Sequence, residues 1–260
     1  MNVLYLGDVM GETGVALIER ELPGLRQKHQ ADLVLAQAEN VSGKGMRLTD
    51  MQRLQDAGVD FFTGGNHTPV LSELHPLLED EEQPVIGPAN MHNCPGRGWK
   101  YVESSKGKVL VISLLGATVG REAASDNPLK AIDDILHENQ EVERAATIVN
   151  FHGDYSSEKV IIGHYLDGRV SAVIGDHWHV PTADAGLLPK GTAHITDVGM
   201  CGVLDASLGV TFESVVPRWR DGIQTRNVLE TEGRLQLNAF LANLDASGRA
   251  THCEHIRHIY

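Results

Sequence analysis

The chain has 260 residues, 42% hydrophobic and 22% charged, a balance that excludes a disordered chain and fits one large domain or two small ones. Its formal net charge of −13 disfavours a passive binder of nucleic acid or of an anionic membrane. A small anionic substrate stays open, because a local cation reverses the field of a site.

No apolar run approaches the roughly 18–20 residues of a membrane span. The start, MNVLYLGDVMGE, lacks the basic region and the cleavage site of a secretory signal. Cys94, Cys201 and Cys253 form no CxxC pair and suit a reducing, cytoplasmic setting. Histidine, at 13, and glycine, at 27, are the enriched residues.

Val3 to Leu6 predicts a short strand that stops at Gly7-Asp8. A helix follows on Ile18, Leu22 and Leu25, with Pro23 expected to kink or break it. Asp32 to Ala36 is the next strand, ending in Gln37-Ala38-Glu39-Asn40 and the loop VSGKG. Thr49 with Gln52 resembles a capping box for a helix striped by Leu48, Met51 and Leu54. Val59 to Thr63 is a strand ending in Gly64-Gly65-Asn66-His67. Pro69 to Leu78 predicts a helix, and Val85-Ile86 a short strand.

Tyr101-Val102 and Val109 to Leu115 pair around the turn at Lys106-Gly107-Lys108. Asn127 caps a helix that starts at Pro128. Ala145 to Phe151 predicts a strand ending at His152, and Ser156 or Ser157 caps the helix after it. Val170 to Ile174 leads into Gly175-Asp176-His177-Trp178-His179, and His194 to Val198 is a late strand. Beyond Phe212 the pattern weakens; Val203 to Val216 and Arg234 to Leu241 suggest outer-edge strands. His252, Cys253, His255 and His258 then read as an incidental, mobile tail. Strands and helices alternate without repeat or linker, which predicts one α/β domain over 1–260.

Five apolar strands thus end in Asp8, Glu39-Asn40, Asn66-His67, His152, and His177 with His179. In open α/β sheets, sites form outside the carboxyl ends of the strands. Carboxylates, amide oxygens and imidazoles without thiolate suit manganese, iron, zinc or nickel. Their number exceeds what one ion needs and suits two ions bridged by a carboxylate. Singly, each residue has a plainer role. Asp8 serves equally as a helix N-cap, Glu39-Asn40 and Asn66-His67 as turn formers, and His152 as a half-buried, hydrogen-bonded histidine. His177 and His179 face the same way if the strand continues through them. Gly43-Lys44-Gly45 lacks the remaining features of a phosphate-binding P-loop. Arg97 in CPGRGW is either a phosphate or base contact or a solvent-facing turn residue.

The order Gly7-Asp8, Glu39-Asn40, Gly65-Asn66-His67, His152 and His177-x-His179 resembles that of the calcineurin-like metallophosphoesterase superfamily. The strings AENVSGKG, TGGNH, NFHGDYSSEK and GTAHITDVGMCG resemble its YmdB-type branch, whose members hydrolyse cyclic nucleotides, notably 2′,3′-cyclic ones. The likeness spans about Met1 to Gly202.

It implies a four-layer α/β/β/α sandwich and two metal ions per chain, iron or manganese, with magnesium or zinc as further options. Glu39 would bridge the ions. Asp8, His179 and Asn40 would hold the first, and Asn66, His152 and His177 the second. His67 would be the general acid beside the leaving oxygen. A metal-held hydroxide would attack phosphorus in line, and a small 2′,3′-cyclic nucleotide would open to a 3′-phosphate. Three features depart from the wider superfamily. Met10 stands where it usually has a histidine, Glu39 stands where its second motif usually has an aspartate, and Trp178 stands between the last two histidines, either packing or stacking on a base. A phosphomonoesterase or nucleotidase at the same site, a non-catalytic metal-dependent scaffold, and a homo-oligomer are further readings. A stable complex with nucleic acid or a membrane is not expected.

Overall fold

The computed structural model describes residues 1–119 and 125–260. The chain opens with strands β1 (Asn2–Leu6) and β2 (Asp8–Val9), then helix α1 (Gly11–Lys28). Pro23 does not break α1. It sits on the exposed face, so the carbonyl it leaves unpaired reaches water, while Leu17, Ile18, Leu22 and Leu25 hold the buried face across it. Next come β3 (Leu33–Gln37), α2 (Leu48–Asp56) and β4 (Phe61–Thr63). The expected capping box is absent: α2 starts at Leu48, ahead of Thr49, and no side chain caps it. Its entry is tied instead by Ser42 Oγ, which accepts from Arg47 N at 3.1 Å and donates to Asp50 at 2.8 Å.

The helix expected over Pro69–Leu78 is two 3₁₀ turns (Thr68–Val70 and Ser72–Leu74) and a short α3 (His75–Glu79). Pro69 and Pro76 each remove a donor and restrict the residue before them, so no continuous helix forms. Strands β5 (Trp99–Ser104) and β6 (Gly107–Leu115) form the predicted antiparallel pair. Helix α4 (Pro128–Glu138) is capped by Asn127, whose side chain accepts from Leu129 N and Lys130 N. Then follow β7 (Ala146–His152), α5 (Ser156–Tyr165), β8 (Ala172–Asp176), β9 (Gly186–Leu187), β10 (Ala193–Ile195) and β11 (Met200–Val203).

Three expectations for the C-terminal part are corrected. The segment read as a strand up to Val216 contains helix α6 (Phe212–Asp221), capped by the Thr211 side chain accepting from Ser214 N. The strand expected from Arg234 on an outer edge forms as β12 (Leu235–Leu244) but lies inside its sheet, paired on both sides. The tail holding His252, Cys253, His255 and His258 is β13 (Ala250–Ile259), paired with β12 along its length. The Asp245-Ala246-Ser247-Gly248 turn joins them: Asp245 accepts from Ser247 N and Arg249 N, and Gly248 adopts a φ of 79°.

Among the described residues the strands form two sheets. The first runs β2-β11-β12-β1-β3-β4, with β13 on the other edge of β12, and the second β5-β6-β7-β8-β10-β9. The β1–β3–β4 and β6–β7–β8–β10 neighbours are parallel, which aligns their carboxyl ends. Three apolar layers separate four layers of structure. Val15, Ile18 and Leu54 of α1 and α2 pack on Leu4, Val34 and Ala36 of the first sheet. Tyr5, Leu35 and Phe61 meet Val111, Ile148 and Ile174 between the sheets. Ile132 and Ile162 of α4 and α5 cover Leu110, Ile112 and Val149 of the second sheet. This is the α/β/β/α sandwich expected from the sequence.

Candidate metal centre

Glu39 and Asn66 follow β3 and β4 of the first sheet, while His152 and Asp176 end β7 and β8 of the second. The parallel strands therefore deliver chemistry from both sheets to one crevice. Glu39 lies at its centre. Its Oε1 is 3.2 Å from His152 Nε2 and accepts from Asn40 Nδ2 at 3.4 Å, and its Oε2 accepts from His67 N at 2.7 Å. Asn66 Oδ1 is 3.1 Å from His152 Nε2, and the His177 ring centroid is 4.5 Å from that of His152. On the other side, His179 Nε2 is 3.7 Å from Asp8 Oδ1 and 3.2 Å from Asn40 Nδ2. All eight residues named from the sequence thus meet here. The close approach depends on Gly65, where a Cβ would lie 2.5 Å from Glu39 Oε2 and from the His152 ring.

The two histidines after β8 reach the crevice by an unexpected route. The strand stops at Asp176, and His177 and His179 adopt positive φ values of 101° and 62°. Strand alternation therefore does not orient them. Such backbone costs about 1–3 kcal/mol per residue and persists only where the surroundings over-determine it. Here Trp178 N donates to Asp197 Oδ2 at 2.9 Å, and Asp197 is paired with Lys159, whose Nζ also donates to Asp176 O at 2.6 Å. Both Lys159 and Asp197 are fully buried. The Trp178 ring lies 4.1 Å from Lys159 Nζ, and its Nε1 donates to Asp154 O, so Trp178 packs over this anchor.

Sequence reasoning passed over the groups that orient His152. Asp176 Oδ1 is 2.6 Å from His152 Nδ1, and Asp176 Oδ2 accepts from Tyr5, Gln37 and Asn150. With Nδ1–H held there, Nε2 faces Glu39 and Asn66. The available signal was a polar residue inside each of three buried strands, which demands a partner. His179 is held likewise: its Nδ1 donates to Leu208 O at 3.1 Å, which turns Nε2 toward Asp8.

The electrostatics match a site built for cations. Burial raises the Glu39 carboxyl, but the neighbouring His152 and His67 outweigh it and hold Glu39 at about 2. Burial lowers His152, and Glu39 with Asp176 more than reverses it, so the imidazole titrates well above its ordinary value. Glu39 Oε1 and His152 Nε2, 3.2 Å apart, each favour the other's charged form. Burial, with His152 adding to it, pushes His177 down to about 3, and burial also lowers His179 and His67. Burial and the Asp176 charge push Asp8 well above the carboxylate range. Asp8 Oδ1 is wholly buried and has no hydrogen-bond partner among the described residues.

Among the described residues, two groups of carboxylates and imidazoles are tight enough for an ion: Glu39 with His152 and His177, and Asp8 with His152 and Asp176. The donors of the second group are partly spent, because both Asp176 oxygens already accept hydrogen bonds. Met10 lies in a buried apolar cluster with Met200, Val210 and Val215. Arg97 points elsewhere, pairing with Glu81 and Glu138 and stacking on Trp99. His255 on β13 bonds Val198 O at 3.0 Å, away from this cluster. No helix among the described residues is long and apolar enough to cross a membrane.

The model of the YmdB-like protein family matches residues 4–256. The 2′,3′-cyclic-nucleotide 2′-phosphodiesterase of Bacillus subtilis (strain 168) is 35% identical over 248 residues, 94% of this chain and 92% of that one. A crystal structure of a novel phosphatase from Mycoplasma pneumoniae superposes with a TM-score of 0.92 at 32% identity, covering 100% of this chain and 93% of the other. A hypothetical protein from Thermus thermophilus gives 0.90 at 34% identity, covering 100% and 99%. The NAD nucleotidase of Haemophilus influenzae, at 13% identity and a TM-score of 0.61 over 56% of its length, shares the fold alone. With strand-end residues, fold and near-full-length match in agreement, the chain belongs to the YmdB-like protein family.

Proposed function

We propose that this chain is a two-metal phosphodiesterase that opens small 2′,3′-cyclic nucleotides to 3′-phosphates. Hydrolysis of phosphoric esters rests on the family and on the name of its Bacillus subtilis relative. The observation that carries the metal reading is Asp8 Oδ1, a fully buried carboxylate oxygen without a hydrogen-bond donor, facing His179 Nε2. Burial and the Asp176 charge disfavour the charged form of this carboxyl, and a cation would offset that cost.

The donor set fits two divalent ions of the iron or manganese kind. Asp8, His179 and Asn40 would hold one, Asn66, His152 and His177 the other, and Glu39 would bridge. Asn40 Oδ1 is 3.0 Å from His67 Nδ1, while Asn40 Nδ2 faces His179. An oxygen ligand from Asn40 therefore requires its amide turned over, which an amide side chain does without moving the backbone. When bound, such ions acidify a water toward neutral pH and offset charge on the phosphoryl oxygens.

The chain's own residues supply the remaining steps. Asp176 and Leu208 O fix the tautomers of His152 and His179, so each presents Nε2 to the crevice. Glu39 fixes the turn at His67 through the His67 backbone N–H. His67, whose side chain is partly open to solvent, gives a proton to the departing ribose 2′ oxygen, which leaves the phosphate on the 3′ oxygen.

The test is turnover of 2′,3′-cyclic, 3′,5′-cyclic and monoester substrates by protein loaded with iron or manganese. Preferential opening of the 2′,3′-cyclic substrate to a 3′-phosphate is expected. A loaded protein that acts only on monoesters is a phosphomonoesterase or nucleotidase, and one inert on every substrate is a scaffold; either result overturns the proposal.

A further inference from the structure

A cavity of about 530 Å³, within the size range of small-molecule sites, is lined by segments adjoining those that carry the candidate metal ligands. Its walls are continuous with the cluster at three points. Met10 follows Asp8 by two residues. Gly43, in the wall, donates its backbone N–H to Asn40 O at 3.0 Å. Val210 follows Leu208, whose carbonyl accepts from His179, by two residues. These three links place the cavity wall next to the segments that carry Asp8, Asn40 and His179.

The lining has two characters. Met10, Val210 and Leu229 form an apolar floor, with Met200 and Val215 behind it. Lys44, Arg218 and Arg226 form a cationic rim. Among the described residues, none of these three lies within 4.0 Å of a carboxylate, whereas Arg53, Arg97, Arg169 and Arg234 each sit on an Asp or Glu neighbour. Arg218 is held in place by neutral acceptors only: Thr225 O and Oγ1 at 3.1 Å and Asn227 Oδ1 at 2.8 Å. Its charge is positioned and left unneutralised. In a chain of net charge −13, three such cations around one cavity mark a place for a negative group from outside the protein.

We propose that this cavity recognises a second phosphate of the substrate, on the 5′ oxygen of the nucleoside whose 2′,3′-cyclic phosphate is opened at the cluster. This rests on the phosphodiesterase reading above. The nucleoside lies on the apolar floor, and the 5′-phosphate meets Lys44, Arg218 and Arg226. A 5′-phosphorylated mononucleotide and the last residue of a short RNA share this chemistry. The cavity has room for about one nucleotide, and the overall negative charge repels a long polyanion.

Steady-state kinetics on adenosine 2′,3′-cyclic phosphate, its 5′-phosphorylated form and the dinucleotide ApA ending in a 2′,3′-cyclic phosphate test the proposal. Either form of 5′-phosphate is expected to raise kcat/KM about tenfold, mainly through KM, as charge-assisted hydrogen bonds supply. The doubly substituted Arg218→Ala, Arg226→Ala protein should bring that ratio to about one, and Arg218→Lys with Arg226→Lys should restore part of it. A larger gain with the dinucleotide assigns the RNA end as the source, and a larger gain with the mononucleotide assigns the free nucleotide. Equal kcat/KM for all three substrates overturns the proposal.

Calorimetry separates this proposal from the reading on which it rests. Adenosine 3′,5′-bisphosphate should bind about tenfold tighter than adenosine 3′-phosphate, and the double alanine protein should abolish the difference. A protein that opens no cyclic nucleotide but keeps this preference refutes the phosphodiesterase reading and supports the anion cavity. A protein that opens cyclic nucleotides but shows no preference refutes the cavity alone.

Discussion

Asp176 accepts from Tyr5, Gln37, Asn150 and His152, every one of them buried, and the bend after it is pinned by a buried Lys159–Asp197 pair. In the cavity, Lys44, Arg218 and Arg226 are exposed, and among the described residues only Arg218 finds side-chain hydrogen-bond partners. On the proposed reading the difference follows from what each region would bind. A metal centre tolerates little displacement of its ligands, and His152 and His179 are each held by a second group, with strained φ values at His177 and His179. A phosphate on a flexible substrate is met by long cationic side chains in water, where orientation matters less than charge.

If that contrast is right, substitutions in the cluster should act steeply and those in the cavity gently. Glu39→Ala, which removes the proposed bridge, is expected to lower kcat by about a thousandfold or more, with metal analysis showing fewer than two ions per chain. His67→Ala should cost about a hundredfold to ten-thousandfold in kcat while both ions are retained. Unchanged rates on a substrate with a poor leaving group would remove the acid role from His67. Asp176→Asn, at a residue outside the proposed ligand set, should weaken metal affinity by about ten- to a hundredfold, read by chelator competition.

Asp8→Asn sharpens the contrast in stability instead of rate. Replacing a carboxyl whose charged form burial and Asp176 disfavour with an amide should stabilise the metal-free protein by about 1–3 kcal/mol in denaturant unfolding at neutral pH. The same substitution should abolish the extra stability that added metal gives the parent chain. A less stable metal-free variant would mean that Asp8 is satisfied without an ion.

Much of this molecule was legible before its structure. Short apolar strands alternating with striped helices predicted the layers, because both sheets are covered by helices and their strands read as apolar runs. The polar strand ends predicted the crevice for the same reason. What escaped was long-range or half-buried. Helix α6 carries Phe212, Val216 and Trp219 on an exposed face, so its apolar residues did not mark a core. Strand β13 is an edge strand with only Ala250 and Ile256 buried, so its polar sequence resembled a loose tail. The partners of Asp176 come from β1, β3 and β7, and no local spacing links them. The strain at His177 and His179 was invisible as well, because it is imposed by Asp197 and Lys159 from distant segments.

In the proposed reaction, protein with two ions in this crevice opens a 2′,3′-cyclic phosphate at its 2′ oxygen. Product analysis by phosphorus NMR on adenosine 2′,3′-cyclic phosphate, with iron- or manganese-loaded protein and a chelated control, is the decisive test. Adenosine 3′-phosphate from the loaded protein and no turnover from the control are expected. Adenosine 2′-phosphate as the product, or equal turnover after chelation, would contradict the proposed reaction.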